Sequence, residues 1–107
     1  MTKLLNFRKT KGLIPAVIQE NNTDEILMLG YMNNEAFMKT QKTGFVHFWS
    51  RTRKKIWKKG ETSGNMLTVK KIYTDCDKDT LLIKVELMGE NVCHKGTKSC
   101  FGIFDNK

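Results

Sequence analysis

Residues 67–88, LTVKKIYTDCDKDTLLIKVELM, contain two apolar segments separated by the acidic cluster DCDKD at 75–79. In the second segment every other residue is apolar, which is the period of a β-strand with one buried face. These residues are Leu81, Ile83, Val85 and Leu87. In the first segment the alternation slips by one residue before Ile72, which indicates a β-bulge. The stretch therefore predicts two neighbouring strands, with the carboxylates at the connection between them.

The segments before this stretch predict a hairpin, a helix and a further strand. LIPAVIQE at 13–20 and EILMLGYM at 25–32 are apolar runs on either side of the polar NNTD, a pattern typical of a hairpin. NNEAFMKTQKTG at 33–44 begins with asparagines that can cap a helix and ends at a glycine that can stop it. FVHFWS at 45–50 has the aromatic and β-branched composition of a strand.

The whole chain, residues 1–107, is predicted to form one α+β domain, dominated by sheet and containing one or two short helices. The longest apolar run, Leu13 to Ile18, is six residues long, whereas a helix that spans a bilayer needs about 20. The basic N-terminal stretch MTKLLNFRKTKG lacks the apolar core of a secretion signal. We therefore expect a cytoplasmic protein.

The chain is basic, with 19 Lys and Arg residues against 11 Asp and Glu, which gives a net charge of +8. This charge favours an anionic partner, but it does not distinguish a nucleic acid or a membrane surface from a phosphorylated metabolite. The three cysteines have a spacing that matches no familiar disulfide framework. In a reducing compartment they are expected to be free thiols or metal ligands.

The acidic cluster places Asp75, Asp77 and Asp79 at alternate positions around Cys76. It is not an EF-hand loop, because Thr80 stands where that loop needs glycine and because the flanking segments are predicted strands. Closely spaced carboxylates suit Mg²⁺, while a solvated hairpin turn is the alternative. Cys76 is expected to be buried or bound to a metal, since cysteine is uncommon in exposed turns.

The remaining thiols lie close together near the C-terminus. Cys93 directly precedes His94, and Cys100 follows after a loop that contains glycine. Together with Cys76, they can supply three thiolates to Zn²⁺, with His94 as a fourth ligand or as a base beside an open position. Three buried structural cysteines are the alternative.

The segment RTRKKIWKKGETSGN at 51–65 combines cations, Trp57 and a run of small residues. Six positive charges fall within the nine residues 51–59. The backbone amides of the turn at 60–64 can approach an anion closely, and Trp57 can stack on a base. A solvated basic hairpin or a nucleic-acid surface would have the same composition.

Taken in order, these segments resemble the phosphoribosyl-AMP cyclohydrolase family of histidine biosynthesis. The resemblance runs through IPAVIQ, LMLGYMN, EAF, FWSRTR, WKKGETSGN, DCDKDTLL, VCHKG and SCF. It covers nearly the whole chain after the first dozen residues. WKKGETSGN and DCDKDTLL are specific motifs, and their occurrence together with the two downstream cysteines is more specific still.

The resemblance implies a metal-dependent hydrolase that opens the purine ring of 1-(5-phosphoribosyl)-AMP between N1 and C6. The product would be the formimino-aminoimidazole carboxamide ribonucleotide, in the third step of histidine biosynthesis. The implied magnesium ligands are Asp75, Asp77 and Asp79, and the implied zinc ligands are Cys76, Cys93 and Cys100. The zinc site would be shared in a homodimer, with Cys76 from one subunit and the other two thiols from its partner.

The resemblance also implies a role for the remaining polar residues. Water made acidic by zinc, and deprotonated with help from His94 or an aspartate, would attack C6. The implied substrate contacts are Arg51, Arg53, Trp57, Lys59, Gly60, Glu61, Thr62, Ser63 and Gly64. We expect a small phosphorylated nucleotide as the substrate, with no nucleic acid or membrane partner, and a monofunctional enzyme. The rival interpretations are a basic zinc module that binds RNA or single-stranded DNA, and a cyclohydrolase or deaminase for another purine.

Overall fold

The computed structural model describes residues 5–8 and 11–104, so the basic N-terminal stretch lies partly outside the described residues. Within them the chain forms six strands and one helix, as an α+β fold dominated by sheet. In chain order these are β1 (Ile14–Glu20), β2 (Ile26–Met32), α1 (Asn34–Thr43), β3 (His47–Ser50), β4 (Lys55–Lys58), β5 (Met66–Thr74) and β6 (Leu81–Met88). The predicted fold class is confirmed.

The main sheet has four strands in the order β2-β1-β6-β5. The predicted hairpin is confirmed, because β1 pairs antiparallel with β2 and places Ile14 opposite Met32. Strand β6 lies parallel to β1 and antiparallel to β5. Strands β2 and β5 are therefore the two edges of this sheet.

Helix α1 begins and ends as its sequence predicts. The side chain of Asn33 accepts a hydrogen bond from the amide of Ala36 at 2.8 Å, which caps the first turn. Gly44 ends the helix in the left-handed conformation, with φ of 80°. Ala36 is buried, so one side of the helix packs into the core.

One face of the main sheet supplies most of the core. Alternate residues of β1 and β6 are almost fully buried, as the apolar period predicts. A bulge between Val69 and Lys71 shifts the phase of β5, so that Ile72 lies opposite the buried Ile83. The bulge is the physical reason for the slip in the sequence pattern, and that prediction is also confirmed.

The sequence pattern missed strand β4, which pairs antiparallel with β3 in a separate two-stranded sheet. This four-residue strand begins and ends with lysine, so its two apolar residues are too few to show the period of a strand. Ile56 and Trp57 pack against the core, and the Trp57 ring lies 5.4 Å from that of Phe48. The basic segment is therefore a hairpin whose middle is anchored in the interior.

The topology places the acidic cluster and the C-terminal loop at opposite corners of the main sheet. Residues 75–80 connect the end of edge strand β5 to β6. The loop after β6 returns to the other edge, where the amide of Cys100 donates to the carbonyl of Leu27 in β2 at 2.7 Å. Three strand spacings separate these edges, which is about 14 Å. No helix in residues 5–8 and 11–104 is long and apolar enough to cross a membrane.

Candidate active site

The turn between β5 and β6 is organised by the side chain of Asp75. Its Oδ1 accepts hydrogen bonds from the amides of Asp79 at 3.1 Å and Thr80 at 3.3 Å. Lys78 takes the left-handed conformation, with φ of 59°, and its amide donates to the carbonyl of Asp75. The amide of Asn6 donates to the carbonyl of Lys78 at 2.6 Å, which ties the N-terminal segment to the turn.

This turn brings together the three carboxylates that the sequence singled out. Each of Asp75, Asp77 and Asp79 offers an oxygen, and these oxygens lie within 4.8 Å of one another. Of the residues that the structure describes, these three form the only such group of three or more His, Cys, Asp or Glu side chains. A cluster of hard oxygen ligands with two exposed members fits a divalent cation that keeps part of its water shell, as Mg²⁺ does.

The loop that holds Cys93 and Cys100 is also defined by hydrogen bonds. The amides of Val92 and Cys93 donate to the carbonyls of Lys98 and Thr97, at 3.0 and 3.1 Å. The ammonium of Lys98 reaches Glu20 at the end of β1, with Nζ 2.6 Å from Oε1. These contacts close the loop on itself and attach it to the sheet.

The two thiols of this loop are in contact and differ in acidity. The amide of Lys95 and the hydroxyl of Thr97 donate to the sulfur of Cys93 and lower the pKa of that thiol. Cys100 is exposed as a residue, but partial desolvation of its sulfur raises the pKa of the thiol. The adjacent Cys93 raises it further, and nearby Lys59 offsets part of the effect. Cys93 is therefore the first of the pair to become the thiolate that binds metal or acts as a nucleophile.

Cys76 does not join these two thiols within one chain. It is exposed in the turn after β5, at the corner of the sheet opposite to Cys100. Two sulfurs on the same zinc ion lie no more than about 4.6 Å apart, since each Zn–S bond is about 2.3 Å. The separation of about 14 Å between the sheet edges is too large for that.

A cleft of about 540 Å³ lies between the basic hairpin and the C-terminal loop. Cys93 and His94 line one wall, and His94 is exposed. The other wall carries seven of the predicted substrate contacts, namely Arg53, Trp57, Lys59, Gly60, Glu61, Thr62 and Ser63. The structure thus brings a thiol, an imidazole and the cationic, glycine-containing turn around one space that is large enough for a nucleotide.

The other predicted contacts have different surroundings. The guanidinium of Arg51 stacks over the ring of Tyr31 at 4.0 Å, and neither Arg51 nor Gly64 lines the cleft. The ammonium of Lys59 donates to the carbonyl of Val92 at 2.7 Å, so this lysine holds the loop next to Cys93. The Trp57 ring is tilted by 44° against that of Phe48, and Trp57 also lines the cleft.

Sequence reasoning missed several residues that line the cleft, which are Ser50, Lys58, Asn65, Asn91, Val92 and Gly96. Asn65 ends the specific motif WKKGETSGN, and this position was a usable signal. Asn91 had no such signal, because it reaches the cleft only through the path of the loop after β6.

A cleft that combines cations, a thiol of lowered pKa and a histidine is typical of an enzyme rather than of a structural module. The sequence matches the family described as phosphoribosyl-AMP cyclohydrolase over residues 28–102. The chain belongs to this family. The family and the enzyme predicted from the sequence are therefore confirmed.

Named relatives match most of the chain. A phosphoribosyl-AMP cyclohydrolase of Solibacter usitatus is 59% identical over 91% of this chain and 77% of the relative. The enzyme of the same name in Clostridium botulinum is 54% identical over 92% of this chain and 89% of its own length. The histidine biosynthesis bifunctional protein HisIE of Photobacterium profundum is 57% identical over 91% of this chain, which spans 46% of that relative.

Proposed function

We propose that the protein hydrolyses 1-(5-phosphoribosyl)-AMP by opening the purine ring between N1 and C6, as a step of histidine biosynthesis in the cytoplasm. The observation that carries this proposal is the cleft that holds Cys93 and His94 opposite the turn at 60–64. In the reaction C6 gains the oxygen of water and becomes a carboxamide carbon, while N1 takes up a proton as the ring bond breaks. A phosphorylated substrate also fits the net charge of +8.

The side chains of the cleft divide into two groups by their chemistry. Arg53 and the backbone amides of the turn at 60–64 bind the substrate phosphates, because charge-assisted hydrogen bonds favour such anions. His94 accepts a proton from the attacking water, since its imidazole lines the same space as the cationic turn and imidazole is the side chain most often used as a general base. Lys59 positions the loop that carries Cys93 by its hydrogen bond to Val92.

The donor sets fit two different metal ions. Thiolates are soft ligands that favour Zn²⁺, which Cys93 and Cys100 would hold together with a third thiol. The oxygens of Asp75, Asp77 and Asp79 are hard ligands that suit Mg²⁺. When bound, zinc supplies acidity to water and magnesium supplies positive charge near the substrate.

The third thiol of the zinc site comes from a second copy of the chain. Cys76 is about 14 Å or more from Cys100 in its own chain, by the width of the sheet that separates them. A homodimer in which the partner's Cys76 joins Cys93 and Cys100 satisfies the need for three sulfur ligands. The same arrangement carries the partner's acidic turn to the cleft.

The direct test is conversion of purified substrate. We expect the absorbance of the adenine ring to change with 1-(5-phosphoribosyl)-AMP and not with AMP or adenosine. A His94→Ala variant should retain its zinc and lose most turnover, because the general base is removed while the thiol ligands stay in place. Turnover of AMP or adenosine instead would assign the site to a purine deaminase.

A matched experiment separates the nucleic-acid rival. Binding of single-stranded DNA or RNA through the basic hairpin would weaken steeply with added salt. We expect neither polymer to compete with the nucleotide substrate at physiological ionic strength. Inhibition of turnover by such a polymer at that ionic strength contradicts the assignment of the cleft to a small nucleotide.

A further inference from the structure

The face of the main sheet that points away from the core carries a row of apolar side chains across all four strands. Direct pairing partners connect Leu29 to Val17, Val17 to Leu82, and Leu82 to Tyr73. Leu29 and Tyr73 are 43% and 46% exposed, although both are large and apolar. A continuous apolar row of this kind marks a contact surface.

The row borders an apolar groove of about 380 Å³ on the β5 side of the sheet. It is lined by the apolar Val17, Tyr73, Leu81 and Leu82 and, at a polar rim, by Thr74, Asp75 and Thr80. The rim is the beginning of the acidic turn, and Asp75 directly precedes Cys76. The groove therefore ends next to Cys76, the thiol that the width of the sheet separates from Cys100 within its own chain.

The segment after Cys100, residues 101–104, exposes apolar side chains that are complementary to the apolar groove. Phe101, Ile103 and Phe104 are 58%, 99% and 86% exposed, which leaves three large apolar side chains in four residues in contact with water. The amide of Cys100 is fixed to the edge strand β2, so this segment leaves the sheet from the corner opposite to the acidic turn. Exposure of this extent is costly, and its removal by a partner is correspondingly favourable.

We propose that residues 101–104 of each chain bind in the groove formed by Val17, Tyr73 and Leu82 of a second copy. The inference rests on the shared site proposed above, and it adds the surface and the segment that assemble that site. A tail seated in the groove lies against the rim at Asp75. Since the tail begins immediately after Cys100, its docking brings Cys100 to the partner's Cys76.

Symmetry makes this contact reciprocal. The acidic turn and the Cys100 corner lie at opposite corners of the sheet, with the apolar row between them. In the dimer the two sheets face each other, and a two-fold axis runs between them across the middle of the row. This axis places the acidic turn of each chain opposite the Cys100 corner of the other chain. Each tail then enters the other chain's groove, and the dimer contains two equivalent contacts on one isologous surface.

The test measures assembly apart from turnover. Tyr73→Glu and Ile103→Glu each place a charge in the proposed contact, at residues whose exposure leaves the core of the monomer intact. Sedimentation velocity over a range of concentrations should show dimer dissociation constants raised about 100-fold or more for both variants. Zinc bound per chain, measured by elemental analysis after dialysis, should fall in parallel.

Met38→Glu is the matched control, because Met38 is 58% exposed on α1 and lies outside the groove and the tail. It should remain dimeric and retain its zinc. If Tyr73→Glu or Ile103→Glu dimerises with wild-type affinity, the inference is overturned. If that variant still opens the purine ring, the proposed function is unaffected. A wild-type dimer with full zinc that does not convert 1-(5-phosphoribosyl)-AMP overturns the function and leaves the surface standing.

A second measurement keeps the inference testable where a variant folds poorly. A photo-reactive residue at position 104 should cross-link to the peptide that contains Tyr73 and Leu82. In a mixture of ¹⁴N- and ¹⁵N-labelled chains, the cross-linked pairs should include mixed labels. Links that join only peptides of one label, or that avoid this peptide, contradict docking between two copies.

Discussion

The acidic turn and the C-terminal loop hold the two sets of candidate metal ligands, but they assemble them in different ways. The turn gathers three carboxylates within five consecutive residues, and hydrogen bonds from its backbone amides to the Asp75 side chain fix its shape. The loop brings only two of the three thiols into contact. The third is attached to the turn, at the far corner of the sheet.

This difference shows which part of the site depends on the fold of one chain. The oxygen cluster is complete once the connection between β5 and β6 has formed. The sulfur cluster needs the sheet to place two corners correctly and then needs a second copy to join them. We therefore expect substitutions in the turn to affect magnesium binding only, except at Cys76. Substitutions that weaken the dimer should affect zinc binding most.

The largest effect is expected from Cys76→Ala. Although Cys76 lies in the acidic turn, its loss should lower zinc affinity at least about 100-fold and abolish turnover, to the same extent as Cys93→Ala. Zinc content after dialysis and the rate of ring opening measure both effects. Lys78→Gly, which keeps the left-handed turn, should retain its zinc. Full zinc occupancy in Cys76→Ala would show that the sulfur site is complete without the turn.

Mixing two inactive variants tests whether the thiols come from different chains. In a heterodimer of Cys76→Ala and Cys100→Ala, one of the two shared sites regains all three thiols and the other loses two. Random exchange of subunits should therefore restore about one quarter of the wild-type activity. The measurement is turnover after unfolding and refolding the two variants together. If heterodimers form, as verified by mass spectrometry, and no activity returns, the sites lie within single chains.

Asp77→Asn should have a smaller and more selective effect. The loss of one of three carboxylate ligands is expected to raise the magnesium concentration needed for half-maximal turnover about 10-fold, with zinc content unchanged. Titration of turnover with magnesium measures it. Glu86→Gln changes an exposed acid on β6 outside the cluster and is the control. A parallel loss of zinc in Asp77→Asn would mean that the two ligand sets are coupled.

The same contrast explains what could be predicted from the sequence. The oxygen ligands are adjacent in the chain, so their spacing and the flanking strand patterns were sufficient to predict a carboxylate turn. The bulge in β5 was visible because it displaces Ile72 from the apolar period. The separation of Cys76 from Cys100 depends on the strand order β2-β1-β6-β5, which local periodicity does not encode. Strand β4 was missed because its core contacts come from only two residues between lysines.

The turn at 60–64 is the wall of the cleft where backbone shape matters most. Gly60 and Gly64 both have a positive φ, of 86° and 83°. A Cβ on Gly60 would clash with the carbonyl oxygen of Asn65, whereas one on Gly64 meets open space. Gly60→Ala is expected to lower the free energy of unfolding by about 2–4 kcal/mol, and Gly64→Ala by about 1–2 kcal/mol. Urea unfolding measures both free energies. Equal losses in the two variants would show that the contact between position 60 and the Asn65 carbonyl does not contribute.

The smallest effect concerns the ion pair that attaches the sulfur loop to β1. Hydrogen bonds from Lys98 and Thr23 hold the pKa of Glu20 below its ordinary value of 4.5. The stabilisation from ionised Glu20 is therefore fully present above that pH and is lost as the pH falls through the lower pKa of the folded state. Glu20 also raises the pKa of Lys98 above 10.5, so the cation persists across the neutral range.

Glu20→Gln should therefore lower the Tm at neutral pH by no more than about 4 °C, since the pair is partly exposed. The difference from wild type should shrink below pH 4.5, where the wild-type carboxylate becomes protonated. Amide hydrogen exchange should increase at Val92 and Cys93, because Lys98 and Thr97 carry their acceptors. Asp24→Asn removes the comparable pair with Lys84, which does not touch the loop, and should leave this exchange unchanged. If Glu20→Gln leaves it unchanged too, the pair of Lys98 with Glu25 and the hydrogen bond from Cys100 to Leu27 are sufficient to hold the loop on the sheet.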